Sequence, residues 1–273
     1  MTHQRKSTQA QPTASLARQH AFETLLRVER DQAYATRVFH ANLKRNPLPQ
    51  REISFAMELI FGTLRQAPYL DFLLQQLLSK SLKDTPLVLK IAMRLGAYEL
   101  LYLNTPTYAV IHQAIELTQS KQKSLRGVVN GVLRNLVRLL EKNQLPQIED
   151  NESNPLHCLA LKYAHPTWVA DLLGPHFTAQ NFTTWLETNN QAPSIFLRSN
   201  PLKIQTDDLL TQLTKTGNNN IHLCPELPNC LQSTHSGHVT QWPGFSEGNF
   251  SVQNPSAQLV AWMADVQPSS HIL

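Results

Sequence analysis

The sequence "LVLKIAMRLGAYELLYLNTPTYAVIHQAIEL" (Leu87–Leu117) indicates how the first half of this chain folds. It follows Thr85-Pro86, a good helix start because proline suits the first turn. Its first part carries a long apolar arc, which is typical of a central, mostly buried helix. Thr105-Pro106 ends that helix, since the residue before a proline disfavours helical backbone angles, and the next helix follows. This stretch therefore predicts two successive helices, of which the first is central.

Helical spacing of apolar residues continues on both sides of that stretch. Upstream it covers Ser15–Arg30, Gln50–Arg65 and Tyr69–Leu78, and downstream it covers Ser124–Lys142. Nothing in these segments alternates with a period of two. We therefore predict a bundle of about seven helices over residues 15–142.

The pattern changes after residue 142. Residues 143–155 are polar and contain two prolines, which is typical of a linker. Two further helical segments follow, and then strand-like "SIFLRSN", a capped helix ending at Gly217 and three short strand candidates. This β-α-β order predicts a small α/β domain resembling an RNA-recognition motif. The predicted organisation is a disordered lead-in at 1–14, a helical domain at 15–142, a linker at 143–155, an α/β domain at 156–250 and a final segment at 251–273.

Composition limits the class of protein. The apolar share of 41% suffices for ordinary cores, and no run approaches the ~18 apolar residues of a membrane helix. The first residues are polar and lack the apolar region of a secretory signal. Cys158, Cys224 and Cys230 make no disulfide framework, so we expect free thiols and a cytoplasmic protein that does not bind membranes.

Charge divides the chain in two. Residues 1–142 hold 20 Lys and Arg against 10 Asp and Glu, whereas residues 143–273 hold 4 against 10. The first part therefore has a net charge of +10 and the second a net charge of −6. A basic balance of this size suits the phosphates of a nucleic acid. A solvated basic surface with no partner is the alternative.

The segment from Ser124 carries the most informative surface pattern. Arg126, Asn130, Arg134 and Arg138 are four apart and share one stripe of the predicted helix. Arginines can bind phosphates bidentately while an asparagine probes base or ribose edges. Lys121 and Lys123 precede this helix, where backbone N–H groups also favour anions, and Arg18 and Arg65 are further candidates.

Two further interpretations concern what surrounds this helix. The stripe is equally well explained as a solvated face on which Asn130 bonds to a neighbouring turn. Gly127 and Gly131, also four apart, predict the close approach of a neighbouring helix.

The chain contains no convincing site for chemistry. His222, Cys224, Cys230, His235 and His238 are clustered in sequence, but their spacing fits structural zinc poorly. None of the three cysteines has the surroundings of an activated nucleophile. The nine glycines never form a G-x-G loop for a phosphate or dinucleotide. We therefore expect no catalytic, metal or cofactor-binding residues in these 273 residues.

Several stretches together resemble a known family. "LIFGTLRQAPYLDFLL", "RLGAYELLYLNTPTYAVIHQAIEL" and "GVVNGVLRNL" resemble the NusB-like helical domain. "HPTWV", "FLRSN" and "GFSEGNFSVQNPSAQLV" resemble the segments that follow it in the RsmB (Sun/Fmu) family. The resemblance covers about residues 15–273, with Asn254 in place of the family's aspartate.

That resemblance implies a function. The family uses S-adenosylmethionine to make 5-methylcytosine in small-subunit ribosomal RNA. His271-Ile272-Leu273 is similar to the start of the first strand of the family's Rossmann-like methyltransferase domain, whose cofactor loop and two catalytic cysteines would lie further on. We therefore expect a truncated chain that binds structured ribosomal RNA, without specificity for DNA, and that binds no cofactor itself. The alternative interpretation is a NusB-type antitermination module that catalyses no reaction, and such a protein would end near Asn143.

Overall fold

The computed structural model describes residues 14–119, 125–149, 153–217, 220–234, 239–264 and 271. Within them are eleven α-helices and four β-strands. The chain divides into two compact units, Met1–Asn190 and Gln191–Leu273. No helix among the described residues is both long and apolar enough to cross a membrane.

Six α-helices build the predicted bundle of the first unit, where about seven helices were expected. They are α1 (Leu16–Asp31), α2 (Ala35–Arg45), α3 (Gln50–Leu77), α4 (Leu87–Tyr102), α5 (Thr107–Gln119) and α6 (Arg126–Glu141). Helix α4 is central, with a continuous run of buried residues from Ile91 to Glu99. Its apolar side chains join those of the other helices in one core. The expected buried helix and the bundle around it are confirmed.

Helices α2 and α3 differ from the prediction. Helix α2 was missed because only Val38, Phe39 and Asn42 of it are buried, too few to produce a clear period. Helix α3 is one helix of 28 residues, where two were predicted on either side of Pro68. A proline removes one backbone hydrogen bond and strains the preceding turn. Buried side chains on both sides of Pro68, including Ile60 and Leu70, keep the helix packed against the core despite that cost.

Glycines allow close packing inside the bundle, but not those predicted. A Cβ on Gly62 would lie 2.0 Å from the Tyr98 ring, and one on Gly96 would lie 2.6 Å from Leu133 Cδ1. Gly127 and Gly131 are exposed, and a Cβ on either would have no described atom within 4 Å beyond its chain neighbours and the nearby backbone of its own helix. The expected close approach at Gly127 and Gly131 is therefore wrong, because they lie on the solvent face of α6.

Three short helices follow the bundle. They are α7 (Pro155–Lys162), α8 (Thr167–Leu173) and α9 (Ala179–Asn190). They share a small core of their own, built on Ala160, Ala170, Phe182 and Leu186. These helices fall in the first unit, whereas the sequence placed them in the second domain. The predicted domain bounds stay a prediction.

The second unit is a small α/β structure, as predicted. It contains β1 (Ile195–Ser199), α10 (Thr206–Lys215), β2 (Ile221–Leu223), β3 (Cys230–Ser233), β4 (Phe250–Val252) and α11 (Pro255–Met263). The strands form one antiparallel sheet in the order β2-β3-β1-β4. Leu209 and Leu213 of α10 pack with Leu197 and Leu231 of the sheet in a separate core.

The two ends of the chain are described only in part. Ala14 is buried, and the rest of the predicted lead-in lies outside the described residues. Helix α11 starts after Asn254, whose side chain accepts a hydrogen bond from the Ser256 N–H at 2.9 Å. His271 is in no strand, and Ile272 and Leu273 lie outside the described residues.

Candidate RNA-binding surface

Helix α6 is amphipathic, and its polar face carries the predicted stripe. Val129, Val132, Leu133 and Leu136 are buried against the bundle. This places Arg134 and Arg138 on the exposed side, with Asn130 half-buried beside them. The stripe predicted from the four-residue spacing is therefore present on one face of the helix.

Asn130, Arg134 and Arg138 line one side of a groove of about 830 Å³ between α5 and α6. Helix α5 lines the other side with Tyr108, His112 and Gln113, among other residues. Ile111, Ile115 and Val137 add apolar surface. No Asp or Glu is among the described residues that line this groove, so the charge of its two arginines is not balanced within it.

Asn130 holds Arg134 in place. The Arg134 Nε–H donates to Asn130 Oδ1 at 2.8 Å, one helical turn away. This bond leaves the terminal nitrogens of the guanidinium available at the groove, and the amide nitrogen of Asn130 keeps two donors. The bond joins neighbouring turns of α6, which is also compatible with the alternative interpretation of a solvated face.

Arg126 has a different setting from the rest of the stripe. Its guanidinium lies 3.3 Å from Glu116 Oε1, and the Arg126 side chain is 40% exposed while that of Glu116 is 7% exposed. The pair joins the C-terminal part of α5 to the start of α6. Part of its charge is therefore already compensated, and it does not line the groove.

Arg18 is held inside the bundle. Its Nε and Nη2 atoms donate to the two carboxylate oxygens of Glu99 at 2.9 and 2.5 Å. The two side chains are only 12% and 3% exposed, and the guanidinium also lies 4.9 Å from the centre of the Phe55 ring. A guanidinium used in this way cannot reach a phosphate, so we remove Arg18 from the candidate surface.

The remaining candidates are distributed differently. Arg65 is exposed on α3 and does not line the groove, and Lys121 and Lys123 lie outside the described residues. Tyr108 and His112 were not predicted. Tyr108 is 78% exposed near the start of α5. In the sequence it directly follows Thr105-Pro106-Thr107, and an aromatic residue at such a helix start was the available signal for it.

Cys224 and Cys230 are not arranged for catalysis. Burial and the neighbouring Cys230 thiol raise the pKa of Cys224 to about 12, and Cys230 is itself buried under Gln258. A thiol with a raised pKa is a poor nucleophile because the thiolate is the reactive form.

The described part of the chain offers no binding site for the cofactor or for zinc. It contains no group of three or more His, Cys, Asp or Glu that could hold a metal, while His235 and His238 lie outside the described residues. No glycine-rich loop follows any of its strands. These residues therefore do not fit S-adenosylmethionine.

Comparison with protein families identifies two domains. Residues 15–138 match the NusB family. Residues 165–240 match the ferredoxin-like domain of the RsmF/B-like methyltransferase type.

Curated relatives are similar over most of this chain. The probable ribosomal RNA small subunit methyltransferase B of Synechocystis sp. is 32% identical over 259 residues, which is 94% of this chain and 57% of that protein. Ribosomal RNA small subunit methyltransferase B of Pectobacterium carotovorum is 33% identical over 235 residues, 83% of this chain and 52% of that protein. The chain thus spans about half the length of the curated relatives that it matches.

A solved structure has a similar fold. The structure of PH0851 superposes with a TM-score of 0.60 at 14% sequence identity, covering 95% of this chain and 57% of that one.

Proposed function

Since the chain carries a NusB-family domain followed by an RsmF/B-type ferredoxin-like domain, we propose that it is the RNA-recognising portion of a cytoplasmic ribosomal RNA cytosine-C5 methyltransferase. The relatives that are 32% and 33% identical to this chain are named as ribosomal RNA small subunit methyltransferases, the first as a probable one, and this supports the assignment. The ferredoxin-like domain counts against a stand-alone antitermination module.

The observation that carries the proposal is the α5–α6 groove. It presents Arg134 and Arg138 without a carboxylate among its described lining residues. Guanidinium groups bind phosphates through paired hydrogen bonds. The surrounding residues 1–142 have a net charge of +10, which favours RNA at long range.

The groove also has features that suit bases and riboses. Tyr108 presents an exposed ring, and aromatic rings bind unstacked bases by stacking. The Asn130 amide can donate to a base edge or to a ribose hydroxyl, which DNA lacks. We therefore assign phosphate binding to Arg134 and Arg138 and nucleotide discrimination to Asn130 and Tyr108.

The described residues do not perform methyl transfer in this proposal. S-adenosylmethionine supplies the methyl group in reactions of this class, and no step of it is assigned to the residues described above. Their part is to bind and orient ribosomal RNA.

The test is the affinity of the purified chain for a small-subunit ribosomal RNA fragment at several salt concentrations. Each lost phosphate contact should reduce the slope of log affinity against log salt by roughly 0.7–0.9. We expect this for Arg134→Ala and Arg138→Ala. Arg51→Ala, which removes an exposed arginine outside the groove, should leave the slope unchanged.

Equal effects of all three variants would show that only net charge matters. Such a result would contradict a specific role for the groove.

A further inference from the structure

The second unit has its own concentration of positive charge. Residues 191–273 contain three basic and five acidic residues. Two of the three basic side chains, Arg198 and Lys203, lie at the same end of the sheet, next to a cavity of about 360 Å³. We therefore ask why two cationic side chains lie close together in a unit whose net charge is negative.

Arg198 stands on the exposed face of β1. The strand alternates, with Leu197 and Ser199 buried and Arg198 exposed between them. Ser251 of β4 is directly opposite Arg198 in the antiparallel register and is also exposed. Arg198 forms no ion pair with any residue in the described ranges. A free guanidinium and a hydroxyl therefore share one face.

Two hydrogen bonds to the backbone at Glu247 and Gly248 position Lys203 and Asn200 beside the same cavity. Its ammonium donates to the Glu247 carbonyl at 2.6 Å, and the Asn200 amide donates to the Gly248 carbonyl at 3.2 Å. Gly248 has a φ of +72°, and a Cβ there would lie 3.0 Å from the Lys203 ammonium nitrogen. A carbonyl positions the ammonium without cancelling its charge.

The cavity is lined by Arg198, Ser199, Asn200, Pro201, Gly248, Phe250 and Ser251, with no carboxylate among them. A volume of this size is at the low end of small-ligand pockets. It suits one phosphate with part of its sugar. The donors present, a guanidinium, a hydroxyl and a nearby ammonium, are those that bind phosphate oxygens.

We propose that this cavity, the Arg198 site, binds a phosphodiester group of RNA. The assignment rests on the proposed function, because it adds to the groove a second RNA contact located in the ferredoxin-like domain. It explains why two cations remain without a carboxylate partner in an acidic unit, where they reduce the long-range repulsion of an RNA backbone.

The experiment uses the whole chain labelled with ¹⁵N and titrated with a ten-nucleotide single-stranded RNA. The amide resonances of Gly248 and Ser251 should shift saturably. Arg198→Ala and Lys203→Ala should remove those shifts and weaken binding by about tenfold at low salt, because each removes a charge-assisted contact. Lys215→Ala, which removes an exposed lysine of the same unit outside the cavity, should change neither.

A second titration uses inorganic phosphate. Saturable shifts of Gly248 and Ser251 with phosphate, but none with RNA, would overturn the RNA assignment in favour of a free phosphate ligand. Unchanged RNA affinity in Arg198→Ala, together with weakened binding in Arg134→Ala, would overturn the Arg198 site and leave the proposed function intact. The reverse pattern would support the site and reject the groove. Arg198→Gln removes the charge but keeps much of the side-chain length. It should weaken RNA binding as Arg198→Ala does if the loss comes from the charge and not from misfolding.

Discussion

Gly96 and Leu133 set how closely α4 and α6 approach each other. A Cβ on Gly96 would lie only 2.6 Å from Leu133 Cδ1. Leu133 is fully buried on α6, one residue before Arg134. The packing of the central helix therefore fixes the helix that carries one side of the candidate RNA-binding groove.

Gly96→Ala should destabilise the protein. Extra volume in a packed core costs about 1–3 kcal/mol because neighbouring side chains must move. Chemical unfolding measures the free energy of unfolding. Gly131→Ala is the matched control on α6, where a Cβ meets nothing within 4 Å; it should stabilise the helix by roughly 0.5–1 kcal/mol. Equal destabilisation by both variants would contradict the described packing.

Arg18→Ala should reduce stability without acting directly on RNA binding. Its removal leaves the buried Glu99 carboxylate without its ion-pair partner, and breaking a buried pair costs about 3–5 kcal/mol. The double variant Arg18→Met/Glu99→Leu should recover much of that loss, since no unpaired charge remains. A normal melting temperature in Arg18→Ala, combined with a reduced salt slope for RNA, would restore Arg18 as an RNA ligand.

Glu29 should make stability depend on pH in the acid range. Burial raises the pKa of Glu29, but hydrogen bonds and charge interactions with Lys90 and Arg94 outweigh it and hold that pKa below 4.5. A carboxylate with a lowered pKa in the folded state stabilises the protein above its unfolded pKa, and this contribution is lost as the pH falls through the folded value.

The variant Glu29→Gln tests this pH dependence of the unfolding free energy. Because the group is partly exposed, the variant should lose at most about 1 kcal/mol at pH 7. The difference in unfolding free energy between the two proteins should shrink as the pH drops below 4.5. A difference that stays constant down to pH 2.5 would rule out the ionised carboxylate as its source.

The features predicted from sequence are those set by local spacing. Four-residue spacing placed Asn130, Arg134 and Arg138 on one face, because helical geometry depends only on neighbours in the chain. The ion pair of Arg18 joins residues 81 apart in sequence and depends on how α1 packs against α4. The groove likewise exists only where α5 and α6 meet, so the sequence could not place Tyr108 opposite Arg134 and Arg138.

Purified protein of these 273 residues should not transfer methyl groups to RNA. Attack on cytosine needs a thiolate, and the pKa of Cys224 is raised to about 12 by burial and by the Cys230 thiol. At neutral pH almost all of this group is protonated, and Cys230 is buried. Incubation with labelled S-adenosylmethionine and small-subunit ribosomal RNA measures the transfer, with the Synechocystis relative as the positive control. Label in cytosine that disappears in Cys224→Ser would show that these residues do carry catalysis.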